Sequence, residues 1–148
     1  MLKDRLTEDL KRAMTEKDMV AKTAVQMVKA AIVLFEKDNH KDATDDDIIG
    51  IVSKELKKRR DSLVEYEKSG RQELIDDLNK EIEILLKYLP EQLSESEIAE
   101  IVESAINESG ATTIKEMGKV MGLVTPKVKG RADNKVVSEL IKAKLNQN

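Results

Sequence analysis

The residues best suited to do chemistry lie near the C-terminal end, in the stretch MGKVMGLVTPKVKGRAD from Met117 to Asp133. This stretch holds three glycines, four basic residues and one of the two prolines of the chain, and its only acid is the last residue. A catalytic loop, a phosphate-binding loop and a surface for a long polyanion are three ways to use such residues. The rest of the sequence indicates which of these three uses to expect.

A phosphate-binding P-loop is excluded by the spacing. That motif needs G-x-x-x-x-G-K-[ST] after a strand, whereas Gly118 and Gly122 are one residue too close and follow no predicted strand. The residues outside this stretch do not indicate a catalytic or a metal-binding site either. The only histidine, His40, lies in a charged segment. The Asp45–Asp47 run does not converge on a metal, because successive helical residues point about 100° apart, and acids in a row are typical of a helix start, where the helix dipole favours them. No catalytic residue, metal site or cofactor is predicted.

The polyanion interpretation rests on which residues share a helix face. At about 100° per residue, one face of a short helix collects two lysines and two glycines, namely Lys115, Gly118, Lys119 and Gly122. The opposite face is apolar, with Ile114, Met117, Val120 and Met121. Because the glycines add no bulk between the lysines, a sugar-phosphate backbone could lie close to this helix.

Further basic residues follow the short helix. A loop formed by Pro126 and Gly130 carries Lys127, Lys129 and Arg131, and Lys135, Ser138 and Lys142 line one side of the last predicted helix. From Lys115 onward the chain has eight basic and three acidic residues, while the residues before it have a net charge of −8. In the alternative interpretation, Gly122 ends the helix, Gly118 permits close helix packing and the lysines are only solvated. The residues alone leave both open.

A second basic cluster lies in KELKKRRDS, where Lys54, Lys57 and Lys58 share one face of a predicted helix. Neighbouring acids partly neutralise it, so it is either a solvated face or an auxiliary contact for an anion or a partner.

The fold that positions these residues is predicted to be all-α. Apolar residues recur with helical period along almost the whole chain, and no stretch alternates with period two. Pro90 blocks helix continuation, and Ser94 with Glu97 forms a capping box just after it. We therefore expect a four-helix domain over residues 1–90 and a three-helix tail domain over 91–148. A capping box at Thr113–Glu116 and a cap at Asp133 are expected to start the last two helices.

Composition indicates in which compartment the protein is expected and which kind of nucleic acid would suit its basic end. The N-terminus is charged from its third residue and the longest apolar run, AAIVLF, is too short to span a bilayer, so we expect a cytoplasmic protein with no membrane contact. All three aromatic residues lie before residue 90, which leaves the basic end without rings on which single-stranded bases stack. If the basic end binds a nucleic acid, structured, double-helical RNA is the expected ligand, and DNA is not expected.

Two long segments carry a family resemblance. KKRRDSLVEYEKSGRQEL and EIEILLKYLPEQLSESEI resemble the N-terminal domain and the junction of the YqeY family. MGKVMGLVTPKVKGRAD, followed by KVVSELIK, resembles the tail that this family shares with the GatB subunit of the tRNA-dependent amidotransferase. The resemblance covers nearly the whole chain and implies two helical domains, with a tail of a kind implicated in holding tRNA.

Three hypotheses about function follow. The first is a non-catalytic module that binds tRNA or associates with it through the tail. The second is an adaptor that docks on a translation enzyme, such as an aminoacyl-tRNA synthetase or the amidotransferase. The third, by association with the shared tail alone, is a carbon–nitrogen ligase with glutamine as amide donor, for which the chain offers no group that would activate a carboxylate.

Overall fold

A computed structural model describes residues 1–146 of the chain. Within those residues it has seven α-helices, a single 3₁₀ turn at Ile114–Glu116 and no strand, which confirms the all-α prediction. The helices are α1 Leu2–Thr15, α2 Met19–Asn39, α3 Asp45–Ser69, α4 Gln72–Leu86, α5 Glu95–Ser109, α6 Met117–Val128 and α7 Asn134–Asn146.

The helix ends follow the local sequence signals. Thr44 and Asp47 form a reciprocal capping box that starts α3, so the aspartate run belongs to a helix N-terminus as predicted. Gly70 ends α3 and Gly110 ends α5, both with a φ of +71° that glycine adopts without steric cost. His40 ends α2 in the same left-handed conformation, with its side chain exposed.

The chain divides into two compact units, Met1–Pro90 and the residues from Glu91 onward. In the first unit, α2 contacts each of the other three helices. Its core is aliphatic apart from the ring of Tyr88 and includes Leu6, Val28, Ile48 and Leu85. That each unit folds by itself stays a prediction.

Tyr88 fixes the end of the first unit just before Pro90. This residue is 4% exposed, its hydroxyl donates a hydrogen bond to the Asp9 carboxylate, and the Arg5 guanidinium lies 4.8 Å from the centroid of its ring. Burial, and then the adjacent Asp9 carboxylate, raise the pKa of Tyr88, because both disfavour the phenolate. The last residues of this unit are therefore held against α1.

A buried ion pair lies between α2, α3 and α4. Arg59 is 6% exposed, and its Nη1 donates to Glu55 Oε2 at 2.9 Å, while its Nε lies 3.6 Å from Glu81 Oε1. Its Nη2 also contacts the Met27 sulfur at 3.1 Å. Removing either partner of such a pair leaves a buried charge unpaired, so this pair sets how the three helices pack.

The second unit packs α5, α6 and α7 in mutual contact around a small core without aromatic rings. Ten residues form this core: Ile98, Val102, Ala105, Ala111, Val120, Val124, Val128, Val137, Ile141 and Leu145. Because three of them recur every four residues along α6, that helix has one buried side, and the side opposite these valines faces outward.

Candidate nucleic-acid interface

The inward side of α6 is fixed by three valines at four-residue spacing. Val120, Val124 and Val128 have no solvent exposure, and the partly buried Met117 and Met121 pack beside them. Both methionines and Val120 thus lie on the apolar side that the sequence predicted. Ile114 does not, because it lies in the 3₁₀ turn and is 43% exposed.

The outward side of α6 is open. A Cβ atom placed on Gly118 or Gly122 would meet no other heavy atom within 4 Å, and Lys119 between them is exposed. Gly118 is therefore not a close-packing glycine, and Gly122 does not end the helix, so the alternative interpretation of both residues is wrong. At about 100° per residue, Thr125 and Pro126 extend the same exposed side by one turn.

The expected loop after the short helix is instead a continuation of the helix through Pro126. α6 runs to Val128, which places Lys127 in its last turn and not in a loop. A proline inside a helix removes one hydrogen bond, here the one to the Gly122 carbonyl, and it normally kinks or breaks the helix. Complete burial of Val124 and Val128 on the other side offsets that loss. A lysine in the last turn is also favoured by the helix dipole.

Lys115 is held by the 3₁₀ turn and not by the predicted capping box. Thr113 makes no side-chain capping bond, and Glu116 Oε1 instead accepts from the backbone N–H of Thr112 at 3.3 Å. The turn places Lys115 just before the first residue of α6, with its side chain exposed. The sequence predicted that Lys115 shares a helix face with Gly118, whereas α6 begins two residues after Lys115, so this lysine lies outside the helix.

Arg131 has a structural contact that the sequence did not reveal. Its Nε donates to the Glu91 carbonyl at 3.0 Å, its own carbonyl accepts from Leu93 N–H at 2.8 Å, and Gln92 Nε2 donates to the Gly130 carbonyl at 2.7 Å. These bonds join residues about 40 positions apart and tie the start of the unit to the turn between α6 and α7. Replacing Arg131 would disturb the fold as well as remove a charge.

The last helix adds two exposed lysines to the basic end. Asp133 Oδ1 accepts from the Lys135 backbone N–H at 2.9 Å, which confirms the predicted cap of α7. Lys135 and Lys142 lie seven residues apart and therefore on one side of α7, with the half-buried Ser138 between them. Lys129 is exposed just after α6.

Charge is distributed unevenly within the second unit. α5 contains five glutamates and no basic residue, whereas α6 contains Lys119 and Lys127 and no acid. Among residues 1–146, no carboxylate lies within 4 Å of five lysines of this unit: Lys115, Lys119, Lys127, Lys135 and Lys142. Lys144, in contrast, reaches Glu103 at 4.0 Å. The five lysines can therefore contact an external anion without first breaking an ion pair.

The auxiliary cluster on α3 lies in the first unit and is partly neutralised. Lys57 pairs with Asp61 at 3.5 Å, and Lys58 lies 3.8 Å from Glu55. Lys54 is exposed and has no carboxylate within 4 Å in the part of the chain that the structure describes.

A family model described as Yqey-like protein matches residues 3–145. The chain belongs to the YqeY-like family. This confirms the resemblance carried by the segments around Tyr66, Pro90 and Gly118. No helix within residues 1–146 has the length and apolar character needed to cross a membrane.

Curated relatives of the chain fall into two groups. Altered inheritance of mitochondria protein 41, mitochondrial, of Pyrenophora tritici-repentis is 32% identical over 142 residues, which are 93% of this chain and 77% of the relative. Its namesake in Lachancea thermotolerans is 34% identical over 70% of this chain and 57% of its own length. A glutamyl-tRNA(Gln) amidotransferase subunit of Saccharolobus solfataricus is 39% identical over 83 residues, 56% of this chain but 12% of that protein.

These names contradict the expected cytoplasmic localisation. The fungal relatives are named as mitochondrial proteins. The charged N-terminus and the lack of a long apolar run led to the wrong prediction because these features report only contact with water. The interior of an organelle is as aqueous as the cytoplasm.

Proposed function

We propose that this chain is a non-catalytic module that binds structured RNA of the tRNA class, and that the outer side of α6 with the exposed lysines of α7 forms the contact surface. The observation that carries the proposal is the open side of α6. Two glycines with free space above them flank Lys119, and neither it nor Lys127 has a carboxylate within 4 Å among the described residues. A phosphate backbone can approach such a helix closely.

The residue types favour a double-helical RNA over other anions. Without an aromatic ring, this unit cannot stack single-stranded bases, so its contacts are with phosphates and sugars. Pro126 has no N–H to donate, so the Gly122 carbonyl lacks the hydrogen bond that it would normally accept within the helix. A ribose 2′-hydroxyl can donate to this carbonyl, whereas DNA has no such donor.

Similarity to a protein that is named for a tRNA supports this class of ligand. The archaeal relative is named as part of a glutamyl-tRNA(Gln) amidotransferase, and the shared segment covers more than half of this chain. Because that segment is 12% of the archaeal protein, amide transfer is not part of the proposal.

The proposal is tested by measuring the affinity of the purified protein for total tRNA between about 50 and 200 mM salt, beside a DNA duplex of similar length. About four or five lysine–phosphate contacts should give a slope of log K against log salt of roughly −4, with tRNA bound more tightly than DNA. Absence of tRNA binding at the lowest salt concentration, or equal affinity for the DNA duplex, would overturn the proposal.

A further inference from the structure

A groove of about 250 Å³ runs along the first unit between α2 and α3. Its floor is apolar and consists of Ala31, Leu34, Phe35 and Ile51, and its rim on α3 carries Lys54 and Lys58. None of the residues proposed for RNA contact on α6 and α7 belongs to this groove.

The floor exposes more apolar surface than the fold requires. Leu34 in the floor is 59% exposed, and Met27, which lies outside the groove seven residues earlier on the same side of α2, is 47% exposed. Both lie on α2, whose opposite side supplies Val25, Val28 and Ile32 to the core. The helix is therefore apolar on an outward side as well, and an apolar strip beside a groove is suited to contact with a partner.

The α3 side of the rim carries two lysines, whereas Asp38 lies on the α2 side. Lys54 has no carboxylate within 4 Å among residues 1–146. The nearest acid to Lys58 is Glu55 at 3.8 Å, and that carboxylate is already bound to the buried Arg59 guanidinium at 2.9 Å. An occupant that places carboxylates over the α3 side of the rim would pair with these two lysines.

We infer that this groove binds an acidic amphipathic helix of a partner protein. A third helix fits against two adjacent ones when it offers apolar side chains every three to four residues, and here it needs acids along the flank that faces Lys54 and Lys58. RNA suits the site less well, because phosphates would leave Leu34 uncovered. A second copy of the chain offers two acids from its own groove lining, Asp38 and Glu55, and the latter is already held in the buried ion pair.

The inference is tested with two synthetic helical peptides, each long enough to form about five helical turns. Both carry leucine at i, i+3, i+4 and i+7, but one has glutamates on the flanks and the other has lysines. The full-length protein should bind the glutamate peptide at least about tenfold more tightly. Leu34→Asp should weaken that binding by about tenfold or more, and Lys54→Glu with Lys58→Glu should reverse the preference between peptides.

Val33→Asp is the matched control, because Val33 is 65% exposed on the same helix and does not line the groove. It should bind the glutamate peptide as the parent does. Equal binding of both peptides, or unchanged binding by the folded Leu34→Asp variant, would overturn the inference. So would a dimer in sedimentation that Leu34→Asp dissociates, or a loss of tRNA binding on reversal of Lys54 and Lys58, since each identifies a different occupant.

Discussion

Replacing four tail lysines with alanine is expected to weaken tRNA binding about 10²–10³-fold at roughly physiological salt. The four are exposed residues without a carboxylate within 4 Å among residues 1–146, namely Lys115, Lys119, Lys127 and Lys135. Each phosphate contact releases counterions, so the slope of log K against log salt should also become shallower by roughly 0.9 for each lysine removed. Fluorescence anisotropy with labelled tRNA at several salt concentrations measures both quantities.

A charge-matched control separates a site from net charge. Four exposed lysines of the first unit, Lys11, Lys37, Lys68 and Lys87, give the same change in total charge when they are replaced by alanine. This variant should keep nearly the affinity and slope of the parent. If both quadruple variants lose the same affinity, the tail lysines attract RNA only through the overall charge of the protein and do not form a site.

Ile141→Ala is expected to destabilise the second unit by about 2–5 kcal/mol while leaving the first unit unchanged. Ile141 has no solvent exposure in a core of ten residues, so truncation leaves a cavity that this small unit cannot readily fill. A unit of this size is only marginally stable, because small domains bury a smaller fraction of their unfolded surface than large domains do. Most of the molecules should then lose the helical signal of the tail at temperatures where the parent is folded.

The positions of the tyrosines allow the two units to be followed separately. Tyr66 and Tyr88 both lie in the first unit, so tyrosine fluorescence reports on that unit, whereas helical circular dichroism reports on both. In Ile141→Ala the dichroism transition should move to lower temperature and the fluorescence transition should stay. The control is Val136→Ala on the same helix, where the side chain is 37% exposed. Equal shifts of both signals would show that the units unfold together.

The helices and most of their ends could be predicted because their causes are local. The predicted capping box at Ser94–Glu97 and the predicted cap at Asp133 are both present, and each involves residues within one turn of each other. The same local reasoning failed at Thr113, because the Glu116 carboxylate accepts from the backbone N–H of Thr112 and not from that of Thr113. Two adjacent threonines offer equivalent backbone N–H groups, and the sequence does not show which of them the glutamate will accept from.

The extent of α6 could not be predicted because tertiary packing decides it. A proline in a helix interior costs about 3 kcal/mol, so local rules end the helix before Pro126. The buried Val124 and Val128 continue the four-residue spacing of Val120 through the proline, and this pattern was the available signal. The contact of Arg131 with Glu91 had no such signal, since residues 40 positions apart meet only after the three helices have packed.

The most direct test of the central claim, that RNA contacts the outer side of α6, is the response of backbone amide resonances to a short RNA hairpin derived from tRNA. Gly118 and Gly122 lie on the open side of α6, whereas Gly70 and Gly110 are equally uncrowded glycines at the ends of α3 and α5. In ¹⁵N-labelled protein, the resonances of Gly118, Lys119 and Gly122 should shift progressively as RNA is added, while those of Gly70 and Gly110 stay in place. Unchanged Gly118 and Gly122 resonances with saturating RNA bound elsewhere on the protein would contradict the claim.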